Sequence, residues 1–267
     1  MTEEASTNQA TLDQRNAAFW DELCGSALAG QVGIEDASAD SLARFDAAYM
    51  EKYPYLEGYL PASFDGAEVL EIGLGYGTLS AAIIARGASY HGLDIAEGPV
   101  EMVRHRLELA GQTDGRERVV RGSALDIPFP GERFDYVYTI GCLHHTGDIP
   151  RAVSEVHRVL KPGGTAVVML YHSNSLRQLL KVKLPALLKR RRTDEQVAGM
   201  YDSNAVGDAA PHVECVSRGD VRRMFGRFAS VRIDVRNFDS TRFVPRERLL
   251  GNIDRILGLD LYINARR

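Results

Sequence analysis

The chain has 267 residues, of which 45% are hydrophobic and 25% charged, and its formal net charge is −4. This length and composition are typical of one large globular domain with elaborations. The acidic balance argues against a nucleic-acid-binding protein, whose usual mark is a basic surface. Three cysteines without a CxxC pair exclude a disulfide scaffold and favour a cytoplasmic location (Cys24, Cys142 and Cys215). No apolar run reaches transmembrane length, and the polar start of the chain does not read as a signal peptide.

The first 60 residues predict a helical lid. Residues 1 to about 15 are polar, and we expect them to be mobile. From Ala17 onward apolar residues recur four apart, through Phe19, Leu23 and Ala27, which predicts a short amphipathic helix. A second helix is predicted with Ser41 as its cap and Pro54 at its end. Its apolar face consists of Leu42, Phe45, Tyr49 and Tyr53.

The centre of the chain alternates between strand and helix patterns. Strands are predicted at 68–72, 89–94, 118–121, 134–139 and 165–171, with helices at about 78–86, 98–110 and 149–160. Such alternation indicates right-handed βαβ crossovers and a parallel sheet. The fold class is therefore α/β, doubly wound, in a domain of residues 61–267.

After Tyr171 the pattern becomes irregular. Residues 172 to about 216 form an insertion that we expect to cap the carboxyl ends of the parallel strands, where open α/β sheets bind ligands. Ser217 predicts a helix cap, with the helix running to Phe225. Strands at 230–236 and 259–264 flank a helix predicted near 246–257.

A glycine-rich turn follows the first central strand. Gly73, Gly75 and Gly77 let the backbone approach a ligand, and the helix that follows offers free N–H groups. Thr78 stands where a dinucleotide fingerprint has its third glycine. Glu71, two residues before the turn, would repel a pyrophosphate but attract an ammonium or sulfonium group. The turn therefore favours a cationic ligand over NAD or FAD.

A second carboxylate ends the next strand. Asp94 follows Gly73 by about 20 residues, the separation at which a carboxylate meets ribose hydroxyls. One carboxylate for an amino-acid head and another for a ribose describe S-adenosylmethionine. We therefore expect Asp94→Ala to weaken binding of this cofactor while the fold stays intact.

These motifs resemble a known enzyme family. The run Glu71-Ile72-Gly73-Leu74-Gly75-Tyr76-Gly77, Asp94, the segment from Gly122 to Phe129 and Leu143-His144-His145 look like a class I S-adenosylmethionine-dependent methyltransferase of the small-molecule type. The resemblance covers residues 65 to 171 well. It implies a Rossmann-like, mostly parallel seven-stranded sheet that ends in an antiparallel C-terminal hairpin.

The resemblance also implies roles for cofactor-binding residues. Glu71 would bind the methionine amino group directly or through water, Asp94 the ribose, and Ile95 the adenine. Ser123 and Ala124 follow the third strand, and Ser123 stands where the family commonly has an aspartate that holds the adenine amino group. Gly141 follows the fourth strand, in the turn expected to face the reacting methyl group.

Histidines are the candidate catalytic groups, because their pKa lies near neutral pH. His144 and His145 come directly after the fourth strand, and His212 lies in the insertion. By resemblance, paired histidines at this position often line the cofactor without acting as a base. Candidate substrate residues are Tyr53, Tyr171, His172 and Tyr201, with Asn174 and Asp202 beside them.

No metal site is predicted. The chain has no HxxxH motif and no His/Cys cluster with ligand spacing, and the adjacent His144 and His145 cannot easily chelate one ion together. The Asp/Asn set of metal-assisted catechol methylation is not recognisable either.

A basic run, Lys181 to Arg192, interleaves with Leu184, Leu187 and Leu188. It has three interpretations: a solvated amphipathic helix, a surface for a phosphate-bearing substrate or a lipid, and an RNA-binding rim. The acidic charge of the whole chain places the RNA interpretation last.

The predicted function is methyl transfer from S-adenosylmethionine to an O, N or C atom of a small molecule, including secondary metabolites, with S-adenosylhomocysteine as product. The alternatives are a methyltransferase that acts on RNA or protein, an NAD-dependent oxidoreductase, and a cofactor-binding protein without catalysis. The sequence specifies neither the acceptor nor the oligomeric state.

Overall fold

A computed structural model describes residues 3–22, 26–238, 246–250 and 253–267. Leu23 and Cys24 lie outside the described residues. The described strands are β1 (Glu68–Ile72), β2 (Ser89–Asp94), β3 (Val119–Arg121), β4 (Phe134–Ile140), β5 (Leu160–His172), β6 (Cys215–Val216), β7 (Ser230–Arg236) and β8 (Asp260–Arg266).

The strands form one mixed sheet in the order β3-β2-β1-β4-β5-β8-β7. Strands β1 to β5 are parallel, and β8 runs antiparallel to both β5 and β7. The predicted α/β architecture and its antiparallel C-terminal hairpin are confirmed. The two-residue β6, which pairs with the end of β5, was not predicted.

The described helices are α1 (Glu3–Trp20), α2 (Ser26–Gln31), α3 (Ala39–Lys52), α4 (Thr78–Ile84), α5 (Glu97–Leu109), α6 (Ile149–Val159), α7 (Leu176–Gln178), α8 (Leu184–Leu187), α9 (Asp194–Ala198), α10 (Arg218–Met224), α11 (Arg246–Leu249) and α12 (Asp254–Leu257). A π-helical turn, Leu179–Lys183, joins α7 to α8.

Hydrophobic cores lie on both faces of the sheet. Strand β1 is buried on both sides, since Val69 belongs to one core and Leu70 to the other. One core contains apolar residues of α4 and α5, and the other contains those of α6 and α10. Helices on both faces explain the continuous apolar pattern of the central strands.

Strand β5 begins earlier than the pattern 165–171 predicts. Leu160 already pairs with Phe134, and the next pair is Thr165 with Tyr136. The four residues 161–164 therefore bulge out opposite a single residue of β4. The strand therefore starts before this bulge, whereas the sequence pattern places its start after it.

The structure places a helix where residues 1–15 are expected to be mobile. Residues 3–15 lie in helix α1, whose polar side chains donate hydrogen bonds to the turn after β4. Gln9 donates to the Thr146 carbonyl and Asn16 to the His145 carbonyl, each at 2.8 Å. Apolar periodicity could not reveal these contacts, because they are hydrogen bonds.

The cap of α3 is Ser38, not Ser41. The Ser38 hydroxyl accepts from the Ser41 backbone N–H at 3.3 Å, so Ser41 lies in the first helical turn. The helix ends at Lys52, two residues before Pro54, as predicted. The predicted cap of α10 is confirmed, since Ser217 and Asp220 form a capping box. The division between residues 1–60 and 61–267 stays a prediction.

Candidate active site

The glycine-rich turn lies at the point where the strand order reverses, between β1 and β4. Gly73 has φ +83°, and a Cβ added to it would lie 2.5 Å from the Cβ of Cys142, which follows β4. Gly77 has φ +75° and begins α4. Open α/β sheets bind ligands at such a switch point. Only glycine fits at Gly73, because both the conformation and the close approach require it.

An acidic side chain at the end of β2 holds this turn. Asp94 is 8% exposed. Its Oδ2 accepts from the Leu74 N–H at 2.7 Å, and its Oδ1 accepts from the Ala96 N–H at 2.9 Å. Burial raises the pKa of Asp94, and these backbone N–H groups oppose that rise. A carboxylate has about four lone-pair positions, so each oxygen can still accept a bond from a ligand hydroxyl.

Glu71 is buried beneath the same turn. Its Oε2 accepts from the Ser80 hydroxyl at 2.6 Å and from the Tyr90 hydroxyl at 2.7 Å. Burial raises the pKa of Glu71 to about 7, while the two hydroxyls act in the opposite direction. The Glu71 carboxyl group therefore exchanges its proton readily near neutral pH, and a cationic ligand would stabilise the ionised form.

A single cleft collects the predicted cofactor residues. Its empty space is about 1110 Å³, counting the part open to solvent. All nine residues predicted to bind the cofactor line it, namely Glu71, Gly73, Gly75, Gly77, Asp94, Ile95, Ser123, Ala124 and Gly141. The cleft continues to Cys142, His145 and Thr146, and α1 contributes Asn16 and Trp20 to its wall.

His145 is the candidate catalytic residue that lines the cleft. Its Nδ1 lies 2.7 Å from the His212 carbonyl, which can only accept, so Nδ1 carries the proton. Its Nε2 therefore presents a lone pair, 3.6 Å from Oδ2 of Asp202. Burial lowers the pKa of His145, and Asp202 opposes that shift. The ring is neutral at pH 7 and can accept a proton.

The other two candidate histidines have different environments. His144 is fully buried, and its ring centroid lies 3.9 Å from that of Tyr171. Burial, together with His145 and His212, lowers its pKa well below the ordinary range. The contact of His212 with His145 runs through its backbone carbonyl rather than its ring. Among the described residues, neither His144 nor His212 lines the cleft.

Known proteins resemble this chain most clearly in the cofactor-binding half. Residues 70–168 match the family model of a methyltransferase domain. A ubiquinone biosynthesis O-methyltransferase of Pseudomonas putida (strain GB-1) is 33% identical over 122 residues, which cover 45% of this chain and 51% of that protein. The biotin biosynthesis bifunctional protein BioHC of Cellvibrio japonicus (strain Ueda107) is 31% identical over 152 residues, 57% of this chain and 28% of that protein.

The methyltransferase-domain match over residues 70–168 and these relatives support a class I S-adenosylmethionine-dependent methyltransferase. The fold of the chain agrees with a solved S-adenosylmethionine-dependent methyltransferase from Mesorhizobium loti, with a TM-score of 0.54 at 22% identity, over 81% of this chain and 97% of that one. The matches span about half, or less, of the length of the two curated relatives.

The cofactor that the matched methyltransferase domain indicates is S-adenosylmethionine. The chemistry of the cleft fits that molecule, since it offers two buried carboxylates and a turn with no room for a Cβ at Gly73 or Gly77. Because the glycine-rich turn lies within the matched methyltransferase domain, the alternative of an NAD-dependent oxidoreductase is not supported.

Sequence reasoning missed the ion pair that supports the glycine-rich turn. Arg106 on α5 is 6% exposed. It forms a bidentate ion pair with Asp46 on α3, in which both N–O distances are 2.8 Å. Its Nε also donates to the Tyr76 carbonyl at 2.6 Å. Phe45 stacks on Tyr76 with ring centroids 4.2 Å apart. No local pattern links residues 46 and 106, so only the fold reveals this contact.

The predicted substrate residues separate into two groups. Tyr171 donates to Asp202 at 2.8 Å, and the rings of Tyr171 and Tyr201 lie 4.4 Å apart, so these residues meet beside His145. His172 is instead buried against the Gly258 carbonyl, 3.1 Å from its Nδ1. Tyr53 directly follows α3 and packs against Tyr49 and Tyr55. The substrate-binding roles of all these residues stay predictions.

The geometric reason for excluding a metal does not hold in the structure. His144, His145 and Asp202 each have a ligand atom within 4.8 Å of the others, although the two histidines are adjacent in the chain. The expectation of no metal stays a prediction, which activity in the presence of a chelator would test.

Proposed function

We propose that this chain transfers a methyl group from S-adenosylmethionine to an oxygen, nitrogen or carbon atom of a small molecule and releases S-adenosylhomocysteine. The observation that supports this is the single cleft shared by Glu71, Asp94 and His145. Two carboxylates for the cofactor and a neutral histidine thus border the same space. The names of relatives in ubiquinone and biotin biosynthesis agree with a small-molecule acceptor.

Each end of the cofactor has a proposed partner. Asp94 accepts bonds from the ribose hydroxyls, Glu71 balances the amino-acid ammonium, and Ile95, Ser123 and Ala124 border the adenine. The sulfonium supplies an electrophilic methyl group. The residues around Gly141 then hold the acceptor in line with the methyl–sulfur bond, because alignment at near-attack distance provides much of the rate.

His145 is the proposed base for an acceptor that must lose a proton. Its neutral Nε2 would take the proton of an acceptor hydroxyl that is held in the cleft beside His145. The imidazolium that forms is then stabilised by the Asp202 carboxylate, which the Tyr171 hydroxyl holds in place. The His212 carbonyl fixes the tautomer that this step needs. His144 and His212 therefore support the site without taking the proton.

Asp202 lies in the insertion, so the insertion provides half of this proposed acceptor site. We place the activity in the cytoplasm, on the basis of the cysteine pattern. In the described residues no helix is long and apolar enough to cross a membrane.

Ligand binding should depend on pH through Glu71. Its pKa in the folded protein, about 7, is raised above the ordinary 4.5, so the free protein holds a proton that an ammonium ligand displaces. Affinity for S-adenosylhomocysteine should therefore rise roughly five- to tenfold between about pH 6 and about pH 7.5. Calorimetric titration measures this rise, and Glu71→Gln should bind with little dependence on pH over the same interval. An equal slope in both proteins would remove Glu71 as the ammonium partner.

The proposed function is tested first by ligand binding and then by the formation of S-adenosylhomocysteine. S-adenosylmethionine and S-adenosylhomocysteine should raise the melting temperature, and NAD should not. Release of S-adenosylhomocysteine should then depend on a phenol, amine or carbon acid from an acceptor panel. Consumption of the cofactor without any acceptor dependence would leave the non-catalytic alternative standing.

His145→Gln separates catalysis from binding. Loss of a general base lowers kcat by about 100- to 10,000-fold, while S-adenosylhomocysteine affinity should stay near that of the wild type. His105→Gln, on the partly exposed face of α5, is the matched control and should change neither quantity. If His145→Gln methylates a hydroxyl acceptor at the wild-type rate, the base lies elsewhere.

A further inference from the structure

An exposed leucine stripe runs along the start of the insertion. We call residues 176–192 the basic leucine segment. Its members Leu180, Leu184, Leu187 and Leu188 are 54%, 48%, 81% and 65% exposed. They recur at helical spacing, so they share one face across the π-helical turn and α8. Half of the large exposed hydrophobic residues described in the protein lie between residues 180 and 188.

All charged residues of the same segment are basic. It contains seven cationic residues and no acidic residue, whereas the whole chain carries a net charge of −4. Six of the seven are exposed: Lys181, Lys183, Lys189, Arg190, Arg191 and Arg192. A solvated helix needs charges but not four exposed leucines, so the apolar stripe requires a further explanation.

The fold holds the charges beside the leucines. Pro185 has no N–H, so the carbonyl of Lys181, four residues earlier, cannot receive the usual helical bond. Arg192 donates its Nε to that carbonyl at 2.7 Å. The run 189–192 is thereby folded back along the helix, so that Arg192 lies beside Lys181, the neighbour of Leu180 in the chain.

We propose that the basic leucine segment binds the surface of an anionic lipid bilayer, with its leucines at the boundary between headgroups and acyl chains. A helix with a leucine face and flanking lysines and arginines is the pattern of an interfacial membrane helix. Single-stranded RNA is bound on aromatic platforms as well as on cations, and this segment has no aromatic residue. A second copy of the segment would present the same positive charge and be repelled.

The segment is tied to the wall of the proposed acceptor site. Arg177 donates to the Met200 carbonyl at 2.8 Å and lies over the Tyr201 ring at 4.8 Å, and Tyr201 packs on Tyr171. A bilayer at this surface would bring an acceptor dissolved in the membrane close to His145. That consequence rests on the proposed function, but the lipid binding itself does not.

The test is co-sedimentation of the full chain with two kinds of vesicle, phosphatidylcholine alone and an equimolar mixture with phosphatidylglycerol. The wild type should bind the anionic vesicles at least about tenfold more tightly, and salt should weaken that binding. Leu187→Asp/Leu188→Asp should lose the preference. Val206→Asp/Ile256→Asp makes the same exchange at two other exposed positions, 82% and 70% exposed, and should bind as the wild type does.

Several results would overturn the proposal. They are equal binding to both vesicles, unchanged binding by the Leu187/Leu188 variant, and an equal loss in the control variant. Tight binding of polyuridylate without vesicle binding would assign the cations to nucleic acid instead. S-adenosylhomocysteine affinity, measured on the same variants, should stay unchanged, so failure of lipid binding is distinguishable from failure of the proposed function.

Discussion

Asp94→Ala should reduce the affinity for S-adenosylhomocysteine roughly a hundredfold or more. In the proposed complex the carboxylate accepts from both ribose hydroxyls, and a hydrogen bond to a charged group contributes about 1.5–3 kcal/mol. Two such bonds account for a change of that size. Isothermal titration of the variant and the wild type measures it.

The structure adds a stability cost to this variant. Asp94 also accepts from the N–H groups of Leu74 and Ala96, which hold the glycine turn against β2. Removal of the carboxylate leaves these buried donors without partners, at about 1–3 kcal/mol each. The expectation from sequence that the fold stays intact is therefore revised to a fold of lower stability, which denaturant unfolding would show.

Asp126→Ala is the matched control, because it removes the same charge from an exposed turn after β3. Affinity and stability should both stay near wild-type values. If Asp94→Ala binds S-adenosylhomocysteine as tightly as Asp126→Ala does, Asp94 is not the ribose ligand.

The cofactor half of the site could be predicted because its signals are local. A glycine turn, the acid before it and the acid that ends the next strand all follow from strand and helix periodicity. Parallel strands place their carboxyl ends together, so residues 71, 94, 123 and 141 meet at one edge once the sheet is assumed. The structure places them around one cleft for that reason.

The acceptor half could not be predicted in the same way. The approach of Asp202 to His145 joins the insertion to the turn after β4, across residues with no regular pattern. The first part of helix α1, before Ala17, was overlooked because Gln9 and Asn16 attach it through hydrogen bonds to backbone carbonyls. Long-range contacts between polar groups produce no periodic pattern in a sequence, whereas buried apolar faces produce one.

Gly73→Ala should destabilise the protein by about 2–5 kcal/mol and weaken cofactor binding. An L-residue at positive φ costs about 1–2 kcal/mol, and the new methyl group would meet the Cys142 Cβ at 2.5 Å. Relief of such overpacking requires shifts that cost a further 1–3 kcal/mol, roughly. Because the shift moves the turn itself, affinity for S-adenosylhomocysteine should fall together with stability.

Gly111→Ala separates backbone strain from the steric contact. Gly111 has φ +71°, close to that of Gly73, but an added Cβ there has no atom within 4 Å. Its cost should therefore be about 1–2 kcal/mol, from strain alone, and cofactor affinity should not change. Equal losses of stability in the two variants would show that the approach of β1 to the β4 turn is looser than the structure indicates.

A double-mutant cycle with Cys142→Gly completes the test. Removal of the opposing Cβ should recover part of the stability lost in Gly73→Ala, with a coupling energy of about 0.5–3 kcal/mol. Recovery of S-adenosylhomocysteine affinity in the same double variant would show that the cofactor cradle depends on how closely the two turns approach. Strict additivity would instead mean that the loss arises from the conformation of residue 73 alone, and that Cys142 does not determine the shape of the cradle.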